Sequence, residues 1–464
     1  MSGYIERLKK LLGWFNGSKL HPPIATKVID EDTEGDFITL ADRQVKDKKE
    51  TTNESGNSSW NADPAEIHIG LDFGTSYTKA CLYFLYKDQR HIVHWDKLWG
   101  SGRSYFLPSR LWLDSDNVLY MAAPSKKQSR EIRYIKMAVA GELIGPKILP
   151  AGIRLNSDPY RIYSAFYIAR CFDWIERYAA DLEPMYLKNK KIVWSGNIGV
   201  PISYFEKKVS RHYLEIMTAA RFMQGKISDS EPLERLDTLY AEAMQEPLIK
   251  TFLPVPELYA EACGLFSDYH TPEGYYTLFD VGGGTVDGAV MRFERVAGEP
   301  QVNFLTASVQ PLGAEVFNAS QGNSQRMKEL QKQLGCQTAE LIMDAKQKAQ
   351  ADWRSYRNLP IEMCGGGHAS KSHVNTISST YFTRQHERCG IPPYKVEDLR
   401  AQISGVEGIR PGDELRLLIA LGLSIPEGQG PIIQGFPHQN LKNTPKARER
   451  CIDLDDLQRE LYGE

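Results

Sequence analysis

Ile67-His68-Ile69-Gly70-Leu71-Asp72-Phe73-Gly74-Thr75-Ser76-Tyr77-Thr78-Lys79-Ala80-Cys81-Leu82-Tyr83 reads as two short strands joined by a tight turn. Apolar residues flank Asp-x-Gly-Thr-Ser on both sides, and Gly74 permits the backbone angles of such a turn. Thr75 and Ser76 leave hydroxyls and backbone N–H groups at the tip, which can hold a phosphate. Far downstream, Tyr275-Tyr276-Thr277-Leu278-Phe279-Asp280-Val281-Gly282-Gly283-Gly284-Thr285-Val286-Asp287-Gly288-Ala289-Val290 repeats the design. It has a strand, an acidic residue, a glycine-rich turn, a threonine and a second strand. Two such hairpins in one chain predict a duplicated architecture with a cleft between its halves.

The chain has 464 residues, 42% hydrophobic and 25% charged, which is ordinary for a globular protein large enough to form two lobes. A net charge of −3 and the lack of a basic run interleaved with aromatics argue against direct nucleic-acid binding. Seven cysteines without a C-x-x-C pair fit reduced thiols better than a disulfide framework or a zinc site. Neither a membrane-spanning apolar run nor a secretory h-region is evident, so a cytoplasmic location is expected.

At the N-terminus, Tyr4, Ile5, Leu8, Leu11, Leu12 and Phe15 fall on one helical face with Arg7, Lys9 and Lys10 off it. Residues 1–15 therefore read as an amphipathic helix. It could anchor the protein peripherally on an anionic membrane, dock in a partner's groove, or pack on its own core. Residues 16–66 turn polar and read as a disordered linker.

Leu71-Asp72-Phe73-Gly74-Thr75-Ser76-Tyr77 resembles the first phosphate motif, and Asp280 to Asp287 the second, of the actin and heat-shock protein 70 (DnaK-like) ATPase superfamily. The resemblance extends, in order, over residues 67–425. Ser104 to Leu113 and Val118 to Ala122 are similar to strands of that family on either side of an Asp114–Asn117 turn, and Lys136 falls where it carries a lysine reaching the γ-phosphate. A solvated surface lysine is the other reading of Lys136. A helix is expected from Tyr163 to Tyr178, then a buried strand ending in Val200-Pro201, a helix from Glu206 to Phe222, and an insertion at 223–250. Leu253-Pro254-Val255-Pro256-Glu257 resembles the connecting motif, whose glutamate orients the attacking water; a first-turn glutamate favoured by the helix dipole is the alternative for Glu257. Leu258-Tyr259 departs from the small residues usual there.

Ser324 to Tyr356 reads as helix interrupted near Gly335, in which Lys346 and Lys348 either contact the base or ribose or are solvated charges. Met363-Cys364-Gly365-Gly366-Gly367-His368 resembles the adenosine motif, where bare backbone can approach a flat ring. Asp413 to Ile425 is similar to the helix that crosses back to the first lobe.

What the resemblance implies is an α/β, duplicated two-lobe actin-like ATPase fold with ribonuclease H-like lobes: lobe I at 67–268, lobe II and the return helix at 269–425, and a tail at 426–464. The short span from Asp280 to Gly365 implies a reduced outer subdomain in lobe II. The tail is too short for a client-peptide-binding domain. ATP or ADP would lie on Gly74, Thr75, Ser76, Tyr77, Gly282, Gly283, Gly284, Thr285, Lys346 and Gly365–Gly367. Asp72 and Asp280 would hold Mg²⁺ through water. Glu257, Asp72, Asp280, Thr285 and Lys136 form the expected catalytic set of a slow ATPase converting ATP and water to ADP and phosphate. No Gly-x4-Gly-Lys-Ser/Thr sequence is present, which argues against a P-loop enzyme. The leading expectation is an ATP-driven switch acting on a partner protein. An actin-like filament former that self-assembles, and a small-molecule kinase, are the alternatives.

Overall fold

In the strand Ala65–Phe73 (β1), Ala65, Ile67, Ile69, Leu71 and Phe73 are completely buried on one face, as period-two alternation dictates. This computed structural model describes residues 64–435 apart from 96–103, 143, 189, 202–208, 348–350, 382, 399–405, 408, 411 and 427. The expected helix at 1–15, nearly all of the linker and most of the tail lie outside the described residues.

The protein is mixed α/β. Its first sheet runs in the order β10 (Phe252–Pro256), β8 (Ile192–Val200), β1, β2 (Tyr77–Phe84), β3 (Gln89–Ile92) and β16 (Val406–Glu407), with β4 (Leu107–Pro108) paired to β2. The second runs β15 (Tyr394–Asp398), β14 (Leu359–Cys364), β11 (Gly274–Val281), β12 (Val286–Val296), β13 (Glu299–Gln310) and β17 (Ile432–Gln434). In each, three consecutive strands form an antiparallel meander, and two later strands add in parallel beside the first. Parallel addition requires long crossovers, which the helices supply. Ile135–Val139 and Pro159–Leu182 lie between β3 and β8, and Val209–Met223 and Leu233–Ala243 between β8 and β10. Ser324–Gln347 lies between β13 and β14, and Lys371–Ser378 with Thr383–Arg388 between β14 and β15.

A third, antiparallel sheet joins β7 (Ser129–Ile132), β5 (Leu111–Asp114), β6 (Val118–Tyr120) and β9 (Ser230–Pro232). Residues 223–250 are therefore built into the body: they provide β9 and the helix Leu233–Ala243, whose Leu233, Leu236, Tyr240 and Ala243 are buried. The helix Ser324–Gln347 is continuous through Gly335, where an added Cβ would meet Thr380 at ordinary contact distance, so the expected interruption is absent. β17 also extends the second sheet beyond residue 425, into the stretch read as tail.

One helix sits between the sheets, and a second packs against it. Glu257–Phe266 touches β8 and β10 of the first sheet and β12 and β13 of the second. Leu418–Leu423, preceded by a 3-10 turn at Glu414–Arg416, packs on that helix and on β1, β2 and β8. Small residues allow this close approach. A Cβ on Gly70 would overlap the Ala420 carbonyl oxygen, and one on Gly422 the carbonyl of Ala260. Among the described residues no helix is long and apolar enough to cross a membrane. Cys81, Cys171, Cys263, Cys364 and Cys389 are free thiols.

Candidate functional site

One cleft gathers the two hairpin turns, the glycine segment after β14, the first turns of the helix Glu257–Phe266, and Leu415 to Ile419. It is partly open to solvent and has a cavity volume of about 150 Å³. The turns meet tip to tip. A Cβ at Gly283 would overlap the Ser76 hydroxyl, and one at Gly284 would lie 2.9 Å from Thr75 Oγ1 and 2.5 Å from Met137 Sδ. The segment Gly313–Glu315 braces the second turn: Gly313 N–H donates to Gly284 O at 3.0 Å, and Ala314 N–H and Glu315 N–H donate to Gly282 O and Gly283 O, each at 2.9 Å. The Glu315 carboxylate reaches back across the cleft, accepting from Ser76 Oγ at 3.4 Å and from Tyr134 Oη at 3.2 Å.

Behind the tips lie the carboxylates. Asp72, 2% exposed near the end of β1, pairs with Lys79, its cross-strand neighbour in the hairpin register. Asp280 holds the equivalent place on β11, where its neighbour across the hairpin is Asp287 instead. Its Oδ1 is buried with no hydrogen-bond partner. Burial pushes the Asp280 carboxyl up to about 7; Lys79 pulls it down, and the charges of Glu257 and Asp72 add to the rise. Asp287 is driven well above the carboxylate range by burial and then by Glu257 and Asp280.

Glu257 and Lys136 form a buried ion pair, 6% and 4% exposed. Burial alone would depress the Lys136 ammonium, but Glu257, Tyr213 and Asp72 together hold it above its ordinary value. Glu257 is raised by burial, against the pull of Lys136. Lys136 is thus no solvated surface lysine. The cleft's two ammonium groups, on Lys79 and Lys136, are each matched to one carboxylate. Asp280 and Glu261 have no such partner among the described residues, so a cation with oxygen affinity fits the donor set.

After β14, Gly365 adopts φ +77°, a conformation that favours glycine, and a Cβ there would overlap Asp280 Oδ1. Gly367 N–H donates to Val281 O at 2.7 Å, tying the glycine segment to the end of β11. Arg416 lies over the Phe106 ring at 3.8 Å and near Tyr77 at 5.7 Å, forming the rim beside Gly366.

The structure brings together Asp72, Gly74, Thr75, Ser76, Tyr77, Lys136, Glu257, Asp280, Gly282–Thr285 and Gly365–Gly367. It does not bring Lys346 to them. That lysine sits in the last turn of its helix, donates to Ala351 O at 3.0 Å and lies over Trp353, away from the cleft lining. Lys348 is outside the described residues. Lys79, Glu261, Glu315 and Arg416 line the cleft unforeseen. Glu261 was readable as the residue four after Glu257 on one helix face, and Lys79 as the partner facing Asp72 across the turn. No protein-family model matches the chain, and no curated protein matches it.

Proposed function

We propose that the cleft binds Mg-ATP and that the protein is an ATP-binding, slowly hydrolysing switch of the actin and heat-shock protein 70 class. It would regulate a partner protein. The observation that carries this reading is the meeting of two hairpin turns, from two sheets of the same strand order and sense, across one cleft with Asp72 and Asp280 behind them. That shared order supports a duplicated pair of ribonuclease H-like lobes, and the cleft between them is where the resemblance puts a nucleotide.

In this reading the hydroxyls of Thr75, Ser76 and Thr285 and the backbone N–H groups of the glycine turns take the phosphate oxygens. The bare backbone of Gly365–Gly367 faces the nucleoside. Asp72 and Asp280 would hold magnesium, which would supply neutralisation of phosphate charge. Glu257 would orient the attacking water, and the ion pair with Lys136 holds its carboxylate in place. Ser76 cannot serve a phosphate and Glu315 together, so binding would exchange that interlobe contact for one to the ligand, a differential contact of the kind a switch requires.

Calorimetry with Mg-ATP tests the assignment. Asp72→Ala and Asp280→Ala should abolish binding, whereas Glu257→Gln should retain binding and slow phosphate release by at least about a hundredfold. Wild-type turnover in all three variants would sink the reading.

A further inference from the structure

Cys364 ends β14 beside Asp280 in the parallel register of β14 and β11, and Glu261 approaches both from the helix Glu257–Phe266. One ligand atom from each of the three lies within 4.8 Å of the others. The Cys364 thiol donates to Glu261 Oε1 at 2.7 Å, leaving Glu261 Oε2 buried with no partner, as is Asp280 Oδ1. Glu261 is 1% exposed and Asp280 8%. Unsatisfied buried acceptors are costly, and both nearby ammonium groups are already paired elsewhere.

We infer that Glu261, Asp280 and Cys364 form a binding site for a thiophilic divalent cation of the zinc class on the floor of the cleft. Two carboxylate oxygens and a sulfur make a three-ligand set that leaves one position open, an arrangement zinc accepts and magnesium does not favour. Glu261 and Asp280 both line the cleft, which gives the ion a path in. On binding, the S–H bond is replaced by a sulfur–metal bond and the proton passes to solvent, with no change of oxidation state. The site itself is independent of the nucleotide reading. One consequence rests on that reading: Asp280 would serve both ions, so a zinc-class cation would exclude Mg-ATP.

The test is a Co²⁺ titration of the full chain, reading the thiolate-to-cobalt charge-transfer band, with Zn²⁺ displacement followed by equilibrium dialysis. One ion should bind, the band should vanish in Cys364→Ser, and Zn²⁺ affinity should fall by more than about tenfold in both Cys364→Ser and Glu261→Gln. Cys364→Ala serves as a second variant, with circular dichroism showing that each remains folded. The absence of a band in the wild type, or an undiminished band in a folded Cys364 variant, overturns the site. Cobalt bound through Cys364 in a protein that never binds Mg-ATP leaves this site standing and removes the nucleotide reading. Mg-ATP binding without any cobalt band does the reverse.

Discussion

Lys136 and Glu257 come from a short helix and from the helix between the sheets, and each is nearly out of reach of water. Breaking one member of such a pair strands a charge in a poorly solvating site, which costs about 3–5 kcal/mol. Lys136→Met should therefore lower the unfolding free energy by that amount, read from urea denaturation. Adding Glu257→Leu should recover most of the loss, because the cost lies in the unpaired charge. Equal losses in the single and double variants would refute this account. His68 makes a second residue-scale case. It contacts Ser195 Oγ at 2.9 Å and Asn197 Nδ2 at 3.1 Å, and burial lowers its pKa from 6.5 to about 4, against a raising hydrogen bond with the Leu423 backbone. Between pH 6.5 and 4 the unfolded chain binds a proton that the folded chain refuses. Stability is thus complete above 6.5, falls as pH drops through that window, and levels off below 4, a total of about 3 kcal/mol. Urea midpoints measured from pH 7 to 4 should fall less steeply in His68→Asn than in the wild type.

At the level of elements, the return helix Leu418–Leu423 owes its position to backbone contact. Gly422→Ala places a methyl inside the Ala260 carbonyl, which can be relieved only by parting this helix from Glu257–Phe266. A loss of a few kcal/mol is expected, in the range of overpacked cores. Gly335→Ala is the matched control: it lies inside a continuous helix with Thr380 Cγ2 at 3.5 Å from the added carbon, and should stabilise by about 0.5–1 kcal/mol. Thermal unfolding of the two variants should therefore shift in opposite directions. The same pair marks what can be read from sequence. The hairpins were legible because Ile67, Ile69 and Leu71 alternate with small or polar residues around an Asp-x-Gly turn, a local pattern. Gly335 misled because helix propensity is weak beside the packing of Leu330, Leu334, Leu341 and Ile342. Of the third sheet, β5 and β6 were legible around the Asp114–Asn117 turn, but β7 and β9 were not: they span only three or four residues, and β9 comes from a distant segment. Lys346 and Lys136 were both candidates from sequence, each with a solvated charge as the other reading. Only the direction in which each helix presents its lysine separates them.

For the whole molecule, the proposed nucleotide site raises the question of whether its occupancy changes assembly. A ligand that binds only the folded protein adds about 2.7 kcal/mol at a hundredfold excess over its Kd. Mg-ATP should thus raise the unfolding midpoint of the wild type and leave that of Asp280→Ala unmoved. Switches and filament formers of this class would share that response, so stability alone does not divide them. Assembly does. In a head-to-tail filament the nucleotide state changes a subunit's affinity for the next copy, whereas in a switch it changes affinity for a different protein. Sedimentation of the full chain with ATP, with ADP and without nucleotide, alongside phosphate release from the same samples, separates the two. The expected result is a protein that stays in the supernatant in all three states while releasing phosphate. Pelleting only with ATP, abolished by Asp72→Ala, would replace the switch with a polymer, and the exchange of Ser76 between Glu315 and a phosphate would then govern subunit stacking.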